Sequence, residues 1–247
     1  MTDPSEALAV ALDELEAQRS AVREIGQLKR DLVSTLAHDI KGPLTSIVGF
    51  AELLEEGFLQ GAEAIDAART IRTNGQRLAT LINDVVALSR VEDDQLEFAS
   101  DRLNALEVLD AAVESMRAER EIDVQRDVDP AFVRGDAARL RQVFEHLLRN
   151  AIKYSPDGQP VRIVVRANGS RISIAFTDGG IGIPPEELPE LFKRFARASN
   201  ARKLKLAGTG VGLFIAKTIV ERFDGTLTVE SRLAEGSTFT ITLPSAT

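Results

Sequence analysis

Arg171-Ile172-Ser173-Ile174-Ala175-Phe176-Thr177 runs without a break into Asp178-Gly179-Gly180-Ile181-Gly182-Ile183-Pro184. The first seven residues are apolar at alternate positions, which predicts a strand over 171–177. The next seven put an acid and three glycines at the strand's end, where backbone N–H groups can approach an anion with no side chain in the way. Further candidate strands lie outward from there, at 122–128, 161–167, 225–231 and 237–243. Helical patterns occupy 105–119, 136–154 and 211–223. Strands that follow one another closely around Gly169 and Ala234 pair antiparallel, which disfavours an all-parallel doubly wound sheet. An α/β layer domain is expected.

Gly208-Thr209-Gly210-Val211-Gly212-Leu213 is a second glycine-rich segment, and it opens a helix. A helix N-terminus offers unpaired N–H donors and a favourable dipole to a phosphate. Either segment alone reads equally well as a tight turn. A dinucleotide fingerprint is disfavoured, because Gly208 follows a loop rather than a strand. On the helix from Asp136, Leu140, Val143, Leu147 and Leu148 form the buried face, while Asn150, Lys153 and Tyr154 fall within about one turn of each other. An amide oxygen suits Mg²⁺ and an ammonium suits phosphate. The plain alternative is a solvated helix end.

The N-terminal part differs in kind. Asp3-Pro4-Ser5-Glu6 reads as a helix start, and Leu8, Leu12, Leu15, Val22 and Ile25 follow coiled-coil spacing. Leu28, Leu32 and Leu36 continue the seam off a strict heptad, which predicts a stutter before His38. Gly57 and Gly61 close the helix, and Ala68, Ile71, Gly75, Leu78, Ile82 and Val85 form a second seam. Two amphipathic helices joined by a short turn cannot bury both seams alone, so pairing into a four-helix homodimer is expected. The alternative is packing of the hairpin onto its own chain. Val91-Glu92-Asp93-Asp94-Gln95 reads as a linker. His38 sits in Leu36-Ala37-His38-Asp39-Ile40-Lys41-Gly42-Pro43-Leu44; exposed, it is a neutral nucleophilic imidazole, and buried, a packed core residue. Pro43 crowds the Asp39 carbonyl and predicts a bend just beyond His38.

Composition narrows the function classes. The 247 residues are 44% apolar, enough core for two modest domains, with few aromatics and no tryptophan. Absence of cysteine excludes disulfides, thiolate nucleophiles and Cys-ligated metals. A net charge of −8 argues against bulk nucleic-acid binding. No apolar run reaches bilayer length and no signal peptide opens the chain, so it reads as cytoplasmic with no membrane segment.

In this order the segments closely resemble a bacterial sensor histidine kinase, from roughly residue 28 to the C-terminus. His38 with Asp39 and Pro43 matches the phosphoacceptor box, and Asn150, Lys153 and Tyr154 match the asparagine box. Asp178, Gly180 and Gly182 match the first glycine box, Phe192 and Phe195 the phenylalanine box, and Gly208, Gly210 and Gly212 the second glycine box; Gly236-Ser237-Thr238-Phe239 looks like the family's last glycine turn. The fold implied is an all-α helical hairpin forming a dimeric four-helix bundle, followed by an α/β sandwich of the Bergerat/GHKL ATPase type. The implied divisions are an N-terminal signalling coiled coil over 1–27, a dimerisation and histidine phosphotransfer domain over 28–92, and a catalytic ATP-binding domain over 98–247.

The resemblance also implies chemistry. Asp178 would bind the adenine amino group, Asn150 would hold Mg²⁺, and Arg197 would touch the γ-phosphate. Thr209, Val211 and Leu213 would join the second glycine box in holding ATP. Residues 192–207 would form a mobile lid, in which Arg202, Lys203 and Lys205 read as a solvated charge run. His38 would take the γ-phosphoryl group, oriented by Asp39, and pass it to an aspartate of a response regulator receiver domain, under control of a sensor absent from this chain. Two positions depart from the family pattern. Gly42 replaces the usual Thr or Asn, which places phosphatase activity in doubt, and His146 replaces the first asparagine of the usual pair, four residues before Asn150. The rival readings are a dimeric phosphotransfer or pseudokinase scaffold, and a conformational ATPase or serine-directed kinase on the same fold.

Overall fold

The computed structural model describes residues 40–92, 99–156, 158–204, 206 and 208–246. His38, Asp39, the Leu8 to Leu36 seam with its stutter, and Lys205 lie outside the described residues, as does the Asp39 carbonyl on which the expected bend at Pro43 depends. The chain divides into two units between Leu81 and Ile82.

In the first unit, α1 is helical over 40–55 and α2 begins; α2 spans Ala62–Glu92 and so crosses the division. Gly57 and Gly61 both take left-handed φ angles, +74° and +56°, which a side chain would resist, and the Phe58 N–H closes on the Leu53 carbonyl at 3.0 Å. Asn74 Nδ2 donates to Ser46 Oγ at 3.2 Å, tying the two helices together. The covered stripe of α2 differs from the seam expected from sequence. Ala67 and Leu81 are buried and Ile71, Asn74 and Leu78 half-buried, whereas Ala68 and Ile82 are exposed. Ile71, Gly75 and Leu78 of the expected seam are half-buried, so the covered stripe overlaps that seam and extends to one side of it at Ala67, Asn74 and Leu81. The helix also runs through Val91 and Glu92, where a linker was expected.

In the second unit, β2 (Ile122–Arg126), β4 (Val161–Asn168), β5 (Arg171–Asp178), β7 (Gly236–Pro244) and β6 (Thr226–Arg232) form a five-stranded sheet in that order. β2 and β4 run parallel and the other neighbours antiparallel, so the sheet is mixed. Residues of β5 alternate between buried and half-buried, and Ile172, Ile174, Phe176 and Asp178 share the buried side. Helices α3 (Ala105–Glu114), α4 (Ala137–Tyr154) and α6 (Gly212–Arg222) pack together, with α4 against β4 and β5 and α6 against β6. Phe144, Leu140 and Leu147 from α4 meet Ile163, Ile174 and Ile241 in a fully buried core, with the Phe144 and Phe176 rings 6.0 Å apart. Each such side chain contributes roughly 1.5–3 kcal/mol relative to exposure. This is the expected two-layer α/β sandwich.

Two elements were not foreseen. β1 (Asp101–Asn104) and β3 (Phe132–Gly135) form a separate antiparallel ribbon. The helix expected to reach residue 119 ends its α geometry at Glu114, after which the Met116 and Glu119 N–H groups bond three residues back.

Candidate functional site

Three segments of the second unit meet at one place. α4 begins at Asp136, whose carboxylate accepts the Arg139 N–H at 3.1 Å, and its apolar stripe turns His146, Asn150 and Lys153 to the opposite, partly covered side. The C-terminal turn of α4 is fastened to the turn after β5, because the Tyr154 carbonyl accepts the Ile181 N–H at 3.2 Å. A Cβ on Gly180 would overlap that same carbonyl. Gly182, at φ +63°, presses on the Arg232 carbonyl in the β6–β7 turn, so any side chain there collides with backbone. The segment 208–212 comes in from the other side. A Cβ on Gly208 would lie 3.0 Å from Lys153 Nζ, and one on Gly212 would overlap the His146 ring.

Asp178 sits at the end of β5 with 5% of its surface exposed. Burial pushes its carboxyl up to about 6, against two backbone donors, Gly180 at 2.8 Å and Ser237, which pull it down. His146 is pushed the other way, to about 4, by burial and then by the charges of Arg149 and Lys153. Burial raises the Tyr154 phenol, and Lys153 Nζ donates to its oxygen at 2.9 Å.

Residues 192–204 are folded between the glycine turns. Asn200 Nδ2 donates to the Gly182 carbonyl at 2.8 Å, and Gly210 packs so tightly on the Phe195–Ala196 backbone that a Cβ would stand 2.6 Å from Ala196 O. Phe195 holds φ at +63°. Phe192 lies apart, with Lys217 Nζ over its ring at 5.3 Å. Arg197 donates through one guanidinium nitrogen to the Leu206 carbonyl, while its Nε is buried with no hydrogen-bond partner among the described residues. Arg202 is directed at the Arg197 carbonyl, with donors at 2.7 and 3.0 Å, rather than lying free in solvent. Thr209 is buried and accepts the Val211 N–H at 3.3 Å, Val211 is fully buried, and Leu213 is half-covered on the first turn of α6. Gly42, in the first unit, has open space around it.

This arrangement is suited to a polyanion with a polar, hydrogen-bonding base. α3 and α4 carry side-chain caps, but α6 begins at Gly212 with none, so its first N–H groups are available to an acceptor beside glycines that admit close approach. The shielded Arg197 Nε needs an acceptor as well. Asn150 supplies a single amide oxygen, which fits a Mg²⁺ ion held mainly by phosphates and water; among the described residues no cluster of three His, Cys, Asp or Glu is built as a metal cage.

Comparison with known proteins gives this geometry its family. Residues 28–94 match the His Kinase A (phospho-acceptor) domain, and residues 135–247 match the histidine kinase-, DNA gyrase B-, and HSP90-like ATPase. A solved structure of the mycobacterial sensor histidine kinase MprB is 31% identical with a TM-score of 0.52, covering 59% of this chain and 97% of that one. The chain belongs to the sensor histidine kinase family. Hybrid signal transduction histidine kinase A of Dictyostelium discoideum is 32% identical over 94% of this chain, and sensor histidine kinase WalK of Bacillus subtilis is 29% identical over 96% of it. The chain spans 12% and 39% of the lengths of these two curated relatives. The ATPase match, residues 135–247, falls within the second unit. No helix among the described residues is long and apolar enough to cross a membrane.

Sequence reasoning missed some of the residues that hold the family's site together. Ser231 Oγ accepts the Ile183 N–H at 2.9 Å and donates to the Gly236 carbonyl at 2.8 Å, fixing one glycine turn to another. Neither it nor Asn200 has a local sequence signal. His146 and Asn150 stand four apart on one helix, so their 3.1 Å contact was within reach of the spacing alone.

Proposed function

We propose that this chain is the kinase core of a two-component system, an ATP-dependent protein histidine autokinase that phosphorylates His38 and passes the phosphoryl group to an aspartate of a response regulator. The observation that carries this reading is the convergence of Asn150 and Lys153 with the turns at 178–182 and 208–212, in a chain whose phosphoacceptor family match includes His38.

Asp178, ionised above pH about 6, accepts a hydrogen bond from the adenine amino group, and the glycines around it let the backbone turns pack closely enough to hold it in place. The N–H groups at the start of α6 receive phosphate oxygens, with Lys153 and Arg197 as cations beside them. Phe192 and Phe195 brace the segment that covers the nucleotide, and Thr209, Val211 and Leu213 shape the phosphate turn. Asn150 and the triphosphate would hold Mg²⁺, which when bound neutralises charge on the phosphate oxygens. His38 attacks in line: its free ring nitrogen forms the N–P bond as the bond from γ-phosphorus to the bridging oxygen breaks, and ADP leaves with that electron pair. Asp39 accepts the hydrogen bond of the other ring nitrogen and supports the positive charge that develops there. The phosphoramidate is then a donor to a carboxylate. The ATP requirement fits a cytoplasmic location for this part of the protein.

A homodimer belongs to the same reading. Leu44, Val48, Phe58 and Ile65 are 48%, 47%, 68% and 62% exposed on the hairpin, more apolar surface than a lone hairpin keeps in water. The test is incubation with γ-labelled ATP and Mg²⁺. Acid-labile, base-stable label that is lost in His38→Gln and in Asn150→Asp supports the kinase; label retained in His38→Gln removes it.

A further inference from the structure

We propose that His146 is a positioning residue for the metal site: its unprotonated Nε2 accepts a hydrogen bond from the Asn150 side-chain amide and so turns the Asn150 carbonyl oxygen toward the phosphate turn, where Mg²⁺ would sit. The inference deepens the proposed function and rests on it.

The contact itself is Asn150 Nδ2 to His146 Nε2 at 3.1 Å, one helical turn apart on α4. With the amide nitrogen facing the ring, Nε2 accepts and the ring proton sits on Nδ1. That fixes the amide. With its nitrogen engaged by His146, Asn150 has only its oxygen left to present, and an oxygen is what a hard cation takes. The ring is held in turn by Gly212, the first residue of α6, since a Cβ at that position would overlap His146 Cε1, Nε2 and Nδ1. One imidazole thus touches both the residue that would hold the metal and the helix start that would hold the phosphates. Substitution of an asparagine by histidine at this position, which on sequence alone looks like damage to the site, supplies the required acceptor by other means.

Two measurements test this. The first is histidine ¹⁵N NMR of the full chain in a His38→Gln background, which leaves one imidazole, because the chain has only two histidines. The Nδ1–H tautomer with bare Nε2 is expected near neutral pH; an Nε2–H tautomer or an imidazolium overturns the proposal. The second is ADP affinity with Mg²⁺ and with EDTA. His146→Ala is expected to lose about tenfold of the affinity that Mg²⁺ adds, the weight of one hydrogen bond, with ADP affinity in EDTA unchanged and His146→Asn recovering most of the loss. A loss of equal size with and without Mg²⁺ marks mere packing and overturns the proposal, as does an unchanged Mg²⁺ effect. A wild-type protein that binds no ADP under either condition overturns the site reading itself and takes this inference with it.

Discussion

Asp178 is asked to be buried and to be charged, and the two demands oppose each other. Its carboxyl is raised from an ordinary 3.8 to about 6, so between those values the unfolded chain has lost the proton and the folded one has kept it. Stability therefore falls as pH rises through that window, and the full cost is present above about pH 6. Asn at this position has no such proton. Relative to Asp178→Asn, the wild type should gain stability as pH falls from 6 to 4, by up to about 3 kcal/mol, in urea titrations of nucleotide-free protein. His146 titrates in an overlapping range with the opposite sign, which is why the comparison is made against the variant at each pH. Asp178→Asn should also lose ATP binding. Gly212→Ala should displace the His146 ring and cost roughly 1–3 kcal/mol of stability together with nucleotide affinity; an alanine variant with wild-type affinity would contradict the contact. Asp178 and Gly212 were legible because an acid or a glycine in a repeated turn has few other reasons to be there. Asn200 and Ser231 were not, since their partners lie 18 and 48 residues away and a polar residue in a loop or strand end announces nothing.

At the scale of elements, the long amphipathic patterns gave α4, α6 and the β4–β5 and β6–β7 hairpins, whose turns at Gly169 and Ala234 take the left-handed φ that closes a tight hairpin. The β1–β3 ribbon gave no such signal. Each strand has four residues, and Asp101 pairs with the distant Gly135, with α3 and β2 between them in sequence, so neither length nor local alternation marks them. What makes the ribbon stick is Asn104. Its side-chain oxygen accepts from Leu106 N, capping α3, and from Ala131 N, each at 3.2 Å, and Ala131 is fully buried. Asn104→Ala removes a helix cap and strands a buried N–H, and should lower unfolding stability by about 2 kcal/mol, read as a shifted urea midpoint with an unchanged slope. The covered stripe of α2 shows another limit of pattern reading: Ile71, Gly75 and Leu78 belong to the expected seam, but helical spacing alone did not mark Ala67, Asn74 and Leu81 beside them as covered.

At the scale of the whole molecule, the proposed homodimer makes the helical hairpin, with its uncovered Leu and Val side chains, one half of a bundle. Leu44→Asp combined with Val48→Asp should convert a dimer into a monomer in light scattering after gel filtration, since each apolar side chain left uncovered forgoes roughly 1.5–3 kcal/mol. A monomeric wild type at micromolar concentration would remove the bundle. The proposed kinase chemistry makes one bond, between an imidazole nitrogen of His38 and the phosphorus that leaves ATP. Its most direct measurement is localisation of the phosphoryl group by mass spectrometry at alkaline pH, where phosphoramidates persist, after the full chain has met ATP and Mg²⁺. The account predicts the group on His38 and its absence in Asn150→Asp; a phosphoryl group on a serine or threonine, or none on His38, would contradict it.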